Sequence, residues 1–576
     1  MLDNLPQKPS DLLRWSWSEI EPYYQDLRSR PLSPATVHEF LSDWTRLNDL
    51  LEEMESRLHL ATVLDTADQE AERRYRDYLE QIYPRMIEEE QKLKEKLLAS
   101  GLEPAGFEIP LQKMRTEAAI FHEANVPLAS QEQALAIQFN KVVSAQTVEW
   151  DGREVTIPQL RPVYQEADRD RRERAWMLAA RRQLADREAI DDLWQQFLAL
   201  RRQMAGNAGF PDYRAFRWQQ RLRFDYTPED CFRFHRAIEE VVVPAAARLH
   251  ERRRRLLGVR TLRPWDLDVD PLGRPPLRPF RQVEELQRGA SAIFHRVDPR
   301  LGGYFDLMAG EGLLDLANRK NKGPGAFCTS FPASRRPFIF QNAVGLHDDV
   351  QTLLHESGHA FHVFERIHLP YFQQRQVGSE FNEVASMAME FLAMPYLAAE
   401  EGGFYTPAEA ARARIEHLEK SLLFWPYMAV VDAFQHWVYE NPDLAMEPRN
   451  CDAQWAALWN RFMVGVDWSG LEEVMMTGWQ RKHHIHLWPF YYVEYGLAQL
   501  GAVQVWENAL SDQSGAVTSY CRALALGGTA PLPQLYETAG ARLAFDAETL
   551  GRAVRLMEET IRSLEEAELG GRPSRC

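Results

Sequence analysis

The chain is 576 residues long, enough to bury a large core and form two domains. Its 45% hydrophobic and 26% charged content is that of a globular protein, and a net charge of −17 argues against a nucleic-acid or anionic-membrane partner. Five scattered cysteines (Cys231, Cys328, Cys451, Cys521 and Cys576) suggest neither a disulfide framework nor a cysteine zinc site, and no apolar run reaches the about 18 residues of a membrane span.

The opening MLDNLPQKPSDLLRW has no apolar stretch of the kind that directs secretion, so a cytoplasmic location is expected. Residues 11–100 read as helices: 15–27 is amphipathic, Ser33-Pro34 opens another, 44–60 follows, and the charged stretch 68–98 should form a hairpin with its neighbour. Nothing there carries a chemical constellation. Within 133–160, VEWDGREVTI alternates and carries Asp151-Gly152, a turn pair, so a two-stranded element is expected. Helices resume from Tyr164, over 170–185, 188–208 and 228–257. The basic run Arg252 to Arg255 reads as a solvated helix face. A loop rich in Pro, Asp and Gly spans 266–279, and 283–296 is helical again. The chain divides into an N-terminal helical lobe, 1–165, and a catalytic domain, 166–576.

Residues 321–345, NKGPGAFCTSFPASRRPFIFQNAVG, pair a Gly-rich loop with an apolar strand. No Lys-Ser/Thr follows the glycines, which excludes a phosphate-binding loop. A strand from Phe338 through Phe340 to Asn342, on the rim of a cleft, would dock an extended peptide by strand addition, with Gly325 in the adjoining loop. The competing reading is a covered core strand.

Residues 348–365 read DDVQTLLHESGHAFHVFE. Val350, Leu353, Leu354, Phe361 and Phe364 fall on a helical period, and Asp348 with Gln351 resembles a capping box. On that helix His355 and His359 stand one turn apart and point at one metal ion, with Glu356 beside them. This H-E-x-x-H arrangement supplies two zinc ligands and a general base. Gly358 costs helix stability, about 1 kcal/mol against Ala, which points to a close neighbour. His362 and Glu365 stand where a metzincin would have Gly and His, which disfavours that class. A third ligand should come from the next helix, opened by Ser379 after the breakers Pro370 and Gly378. Glu380, Glu383 and Glu390 all qualify, and spacing alone does not choose among them.

Helices follow over 407–434, with an interruption expected at Pro426, and over 451–464. The stretch 481–502, RKHHIHLWPFYYVEYGLAQLGA, clusters His483, His484, His486, Tyr491, Tyr492 and Tyr495. Such side chains are donors suited to a developing oxyanion. Tyr491 and Tyr495, four apart, share a face. The rest, 498–569, is helical.

HESGHAFH, followed 24 residues after His359 by Glu383 in E-V-A-S, resembles the M3 family of zinc oligopeptidases, specifically its oligoendopeptidase F-like branch, relatives of thimet oligopeptidase. PFYYVEYG, 489–496, resembles the same branch. The likeness extends over roughly residues 200–560. It implies a mostly α-helical, bi-lobed metallopeptidase with a deep central channel and a small β-sheet beside the metal helix. It makes Glu383 the third ligand of one Zn2+ per chain and Glu390 a supporting carboxylate. It also implies a His and Tyr pair at the oxyanion, here His484 over its competitor His486, and Tyr491 over Tyr495, which is then left to substrate binding. Phe338, Phe340 and Gly325 would line the peptide. The expected partners are short peptide substrates, with no nucleic acid and no membrane, and no oligomeric state follows.

The expected activity is therefore zinc-dependent hydrolysis of internal bonds in oligopeptides. Two rivals remain: a zinc metallocarboxypeptidase, which also uses H-E-x-x-H, and a non-catalytic peptide-binding protein with a vestigial zinc site. An intact Glu356 argues against the second, because binding alone needs no base.

Overall fold

Two hydrophobic cores give the molecule its mostly α, bi-lobed form. The computed structural model describes residues 5–6 and 9–570; Cys576 and part of the opening peptide lie outside the described residues. The smaller core gathers Leu12, Tyr24, Trp44, Leu93 and Met114 with Phe372, which reaches in from far along the chain. The larger core draws on helices from Leu128 to Leu564. Among the described residues no helix is long and apolar enough to cross a membrane.

Helix α1 (Val37–Leu64) buries a stripe at Phe40, Leu41, Trp44, Leu47, Leu51 and Met54, the period expected of a helix with one apolar face. The charged stretch after it forms two helices, Gln69–Gln81 and Tyr83–Ala99, and Asp68 caps the first by accepting from Glu70 and Ala71. The hairpin of β1 (Thr147–Trp150) and β2 (Arg153–Thr156) turns on Asp151 and Gly152, both at positive φ, 48° and 75°. This is the backbone that a two-residue hairpin turn demands. Helix α2 (Pro228–Ala237), capped by Thr227, runs through a π turn at Ile238–Val242 into Val243–Leu257, so 228–257 is one helical rod.

The second sheet has the order β3 (Leu314–Ala317), β5 (Arg336–Ala343), β4 (Phe327–Phe331). β5 pairs parallel with β3 and antiparallel with β4. This corrects the docking role expected of Phe338 to Asn342. Ile339 and Phe340 lie between β3 and β4, so the middle of the strand spends its backbone groups on two neighbours. Phe338 and Phe340 are buried against Leu60 of α1 and Phe331, in the core of the sheet. Gly325, at φ 93°, sits in the preceding loop, whose carbonyl accepts from Asn342.

Beyond the sheet lie helices α3 (His347–Arg366), α4 (Ser379–Ala393), α5 (Pro407–Glu440) and α6 (Tyr492–Ser511). α3 rests on β4 and β5 on one side and on α4 on the other, and α4 packs in turn on α6. The cap of α3 is Asp349, whose Oδ2 accepts from the backbone of Val344 and Leu346 at 2.8 Å, while Asp348 turns outward to Lys420. α5 passes Pro426 without a break. Its buried faces are gripped by the larger core on several sides, which outweighs the backbone bond lost at proline.

Candidate metal centre and active site

α3 and α4 cross at Gly358. A Cβ built there would stand 2.4 Å from the carbonyl oxygen of Ala385 and 2.6 Å from the Cα of Ser386. Only glycine lets the two backbones approach so closely. The crossing sets Glu383, one turn before Ser386, against the exposed edge of α3.

There a ring nitrogen each of His355 and His359 and a carboxylate oxygen of Glu383 lie within 4.8 Å of one another. Glu383 Oε2 is 3.4 Å from His355 Nε2 and 3.7 Å from His359 Nε2. Tetrahedral zinc with bonds of about 2.0–2.1 Å requires ligand separations of about 3.3–3.5 Å; the Glu383–His355 edge has that length and the Glu383–His359 edge is slightly longer. Both imidazoles keep about a quarter of their surface exposed, 25% and 23%, so a substrate can reach them.

The electrostatics also ask for a cation. Burial would depress His355, but Glu383 and Glu390 outweigh it and hold the imidazole well above its ordinary pKa. Glu383, despite burial, is held down to about 2 by His355 and His359. Glu390 Oε1 takes the Nδ1 side of His355 at 2.6 Å, leaving Nε2 for the metal. A carboxylate behind a ligating histidine fixes its tautomer and orientation. Ser386 Oγ donates to Glu383 Oε2 at 3.0 Å. Glu380 belongs elsewhere, accepting from Tyr226 at 2.6 Å beside Arg223.

Glu356 is 8% exposed, and burial pushes its carboxyl up to about 7, even with the Cys328 backbone N–H donating to it. Cys328 lies on β4, the strand with a free edge. At this side of the sheet the edge strand beside the metal helix is β4, not the more apolar β5.

The aromatic segment reaches the same carboxylate from the other side. Tyr491 Oη donates to Glu383 Oε1 at 3.0 Å. The Tyr495 and His484 rings lie 5.0 and 5.9 Å from that of Tyr491. Burial and the nearby Lys482 depress His484 to about 3, so it is a neutral imidazole. His486 faces away. It is wholly buried, stacked on Phe139 at 4.3 Å and on Trp479 at 5.9 Å.

Sequence reasoning missed the scaffold that aims Tyr491. Phe490 has φ 63°, an uncommon conformation for a bulky residue. Its N–H donates to Gln435 at 2.7 Å, and Arg223 holds its carbonyl. Arg221 stacks over the Tyr491 ring at 4.8 Å while donating to the Pro489 carbonyl. His417, 3.5 Å from Glu390, was also missed, for it stands on α5 with no motif around it.

Comparison with known proteins gives the family and the fold. The sequence model of Peptidase family M3 matches residues 163–554. PZ peptidase A, solved with an inhibitor, is 26% identical at a TM-score of 0.87, covering 98% of this chain and 99% of that one. A protein assigned as an oligoendopeptidase F is 27% identical at a TM-score of 0.87, covering 98% of each chain. Another, from Bacillus anthracis, is 22% identical at 0.83, a likeness of fold, covering 98% of this chain and 99% of that one. A comparison with curated proteins found no match.

Proposed function

This chain belongs to peptidase family M3, and from that premise we propose that it is a zinc-dependent endopeptidase of short oligopeptides. The observation that carries the reading is the convergence of His355, His359 and Glu383 within 4.8 Å, with a buried Glu356 one residue from the first ligand. These three residues would hold the ion, oriented by Glu390 and Ser386. A bound zinc supplies Lewis acidity, lowering the pKa of a coordinated water to about 7 and polarising the scissile carbonyl.

The chain's own residues do the rest. Glu356 takes a proton from the attacking water and delivers it to the leaving amine. A raised carboxyl pKa suits both halves of that task, since the group must bind and release a proton near neutrality. Tyr491, Tyr495 and neutral His484 offer donors to the developing oxyanion, where one such contact contributes roughly 3 kcal/mol. The free edge of β4, joined to Glu356 through the Cys328 backbone, aligns an extended peptide with the base. A channel of the kind the family resemblance implies would admit short peptides and exclude folded domains.

The test is a short internally quenched peptide blocked at both ends. It should be cut at an internal bond, lose cleavage with a strong chelator and regain it with zinc. Release of terminal residues alone, and only from free-ended peptides, would move the activity to the carboxypeptidase class.

A further inference from the structure

A second cluster of metal-binding side chains lies apart from the candidate active site, between α2 and α5. Cys231 and His235 stand four apart on α2, and Asp432 and His436 stand four apart on α5, so each helix presents two donors on one face. The ligand atoms of Cys231, Asp432 and His436 lie within 4.8 Å of one another, and all three residues are at most 1% exposed. His436 Nε2 is 3.4 Å from Asp432 Oδ2, the edge length of a tetrahedral site. His235 Nε2 meets the same oxygen at 2.9 Å.

Hydrogen bonding within the protein leaves this cluster incomplete. Asp432 Oδ1 and His436 Nε2 are both buried and have no hydrogen-bond partner. A buried polar atom left without a partner is costly in an apolar core. The Cys231 sulfur lies within 4.8 Å of a carboxylate oxygen of Asp432 and a ring nitrogen of His436. A single divalent cation would satisfy all three. The α2 helix also passes directly into the π turn at Ile238–Val242, a local departure from α geometry of the kind that often marks a functional site.

We propose that Cys231, Asp432 and His436 bind a second divalent metal ion of the zinc class, with His235 as the outer partner or fourth ligand. Binding forms a bond to Cys231 Sγ as the thiol proton leaves to solvent. One thiolate, one carboxylate and a neutral imidazole then balance the charge of a divalent ion, so the centre is neutral in its apolar surroundings. Arg214 donates to His436 Nδ1 at 3.4 Å. Ligation through Nε2 therefore moves the ring proton from Nε2 to Nδ1, and Arg214 gives up that hydrogen bond while keeping its ion pair with Glu440. A mixed thiolate, imidazole and carboxylate set favours zinc, and cobalt can stand in for it. The role is structural. The ion would fasten α2 to α5 directly behind Phe490, whose ring lies 5.2 Å from that of His436 and whose N–H is held by the neighbouring Gln435. It would therefore stiffen the platform on which Tyr491 stands.

The experiment is cobalt titration of the metal-stripped full-length protein, followed by absorption and elemental analysis. The wild type should take up two ions per chain and develop a near-ultraviolet thiolate-to-cobalt charge-transfer band. Glu383→Ala should lose one ion and keep the band. Cys231→Ser should lose the band and keep the other ion, and Asp432→Asn, which preserves shape, should bind the second ion more weakly. The proposal is overturned if the wild type binds a single ion, or shows no thiolate band, or if Cys231→Ser still takes up two. The wild-type spectrum decides even if a variant fails to fold. Because the band is read in Glu383→Ala, this outcome is independent of whether the first site is catalytic.

Discussion

The helix pair carrying His355, His359 and Glu383 and the segment carrying His484, Tyr491 and Tyr495 meet at one carboxylate, yet they reach it by different physics. On α3 the chain's own periodicity does the work, since residues four apart must share a face once the helix forms. On the segment 483–496 no period holds. A short helix, His483–Leu487, ends in Trp488, Phe490 turns through φ 63°, and only then does α6 begin. Tertiary contacts, from Gln435, Arg223 and Arg221, decide where Tyr491 points. The two histidine ligands can thus be written into local spacing, whereas an oxyanion donor depends on residues from 55 to 267 positions away.

That contrast can be broken most severely at Gly358. Gly358→Ala puts a methyl group 2.4 Å from the Ala385 carbonyl and forces α3 and α4 apart. We expect most of the bound metal and nearly all activity to be lost, with stability lower by about 1–3 kcal/mol. Metal analysis and thermal unfolding would read this, and a variant with full metal and activity would show that the close crossing does not set the site.

On the other side of the carboxylate, Tyr491→Phe should lower kcat by about 100-fold with little change in KM or metal content, because an oxyanion donor acts in the transition state. His484→Ala should also lower kcat at full metal content. His486→Ala should leave kcat alone and lower stability by about 2–3 kcal/mol, as removal of a packed core ring does. If His486→Ala rather than His484→Ala slows a metal-replete enzyme, the assignment of the two histidines is reversed.

A smaller effect belongs to Glu390, which touches the metal site only through His355 Nδ1. Glu390→Gln should weaken zinc binding by about 10–100-fold, with kcat near wild type once zinc is saturating. Equal zinc affinity in the variant and the wild type would remove Glu390 from the site.

Much of this was legible in the sequence, and the misses share a cause. The helical rods, the Asp151-Gly152 hairpin and the H-E-x-x-H face all follow from local patterns, and the close neighbour implied by Gly358 is the α4 backbone. The choice among Glu380, Glu383 and Glu390 was not local. All three ride one helix, and which one meets the histidines depends on where α4 crosses α3. β5 was mistaken for a rim strand because a continuous apolar run marks a strand buried on both faces, and nothing within it says whether its edges are paired. The break expected at Pro426 did not occur because burial across α5 holds the helix through it. The buried Cys231, Asp432 and His436 cluster gave no signal, since its two halves lie about two hundred residues apart in the chain.

The account stands most directly on Glu356. The decisive measurement is turnover of a blocked peptide by Glu356→Gln at wild-type metal content. Glutamine keeps the shape and removes the base, so metal should be bound as in the wild type and kcat/KM should fall by about 10²–10⁴-fold. A metal-replete Glu356→Gln enzyme that turns over the peptide at the wild-type rate would contradict the proposed mechanism.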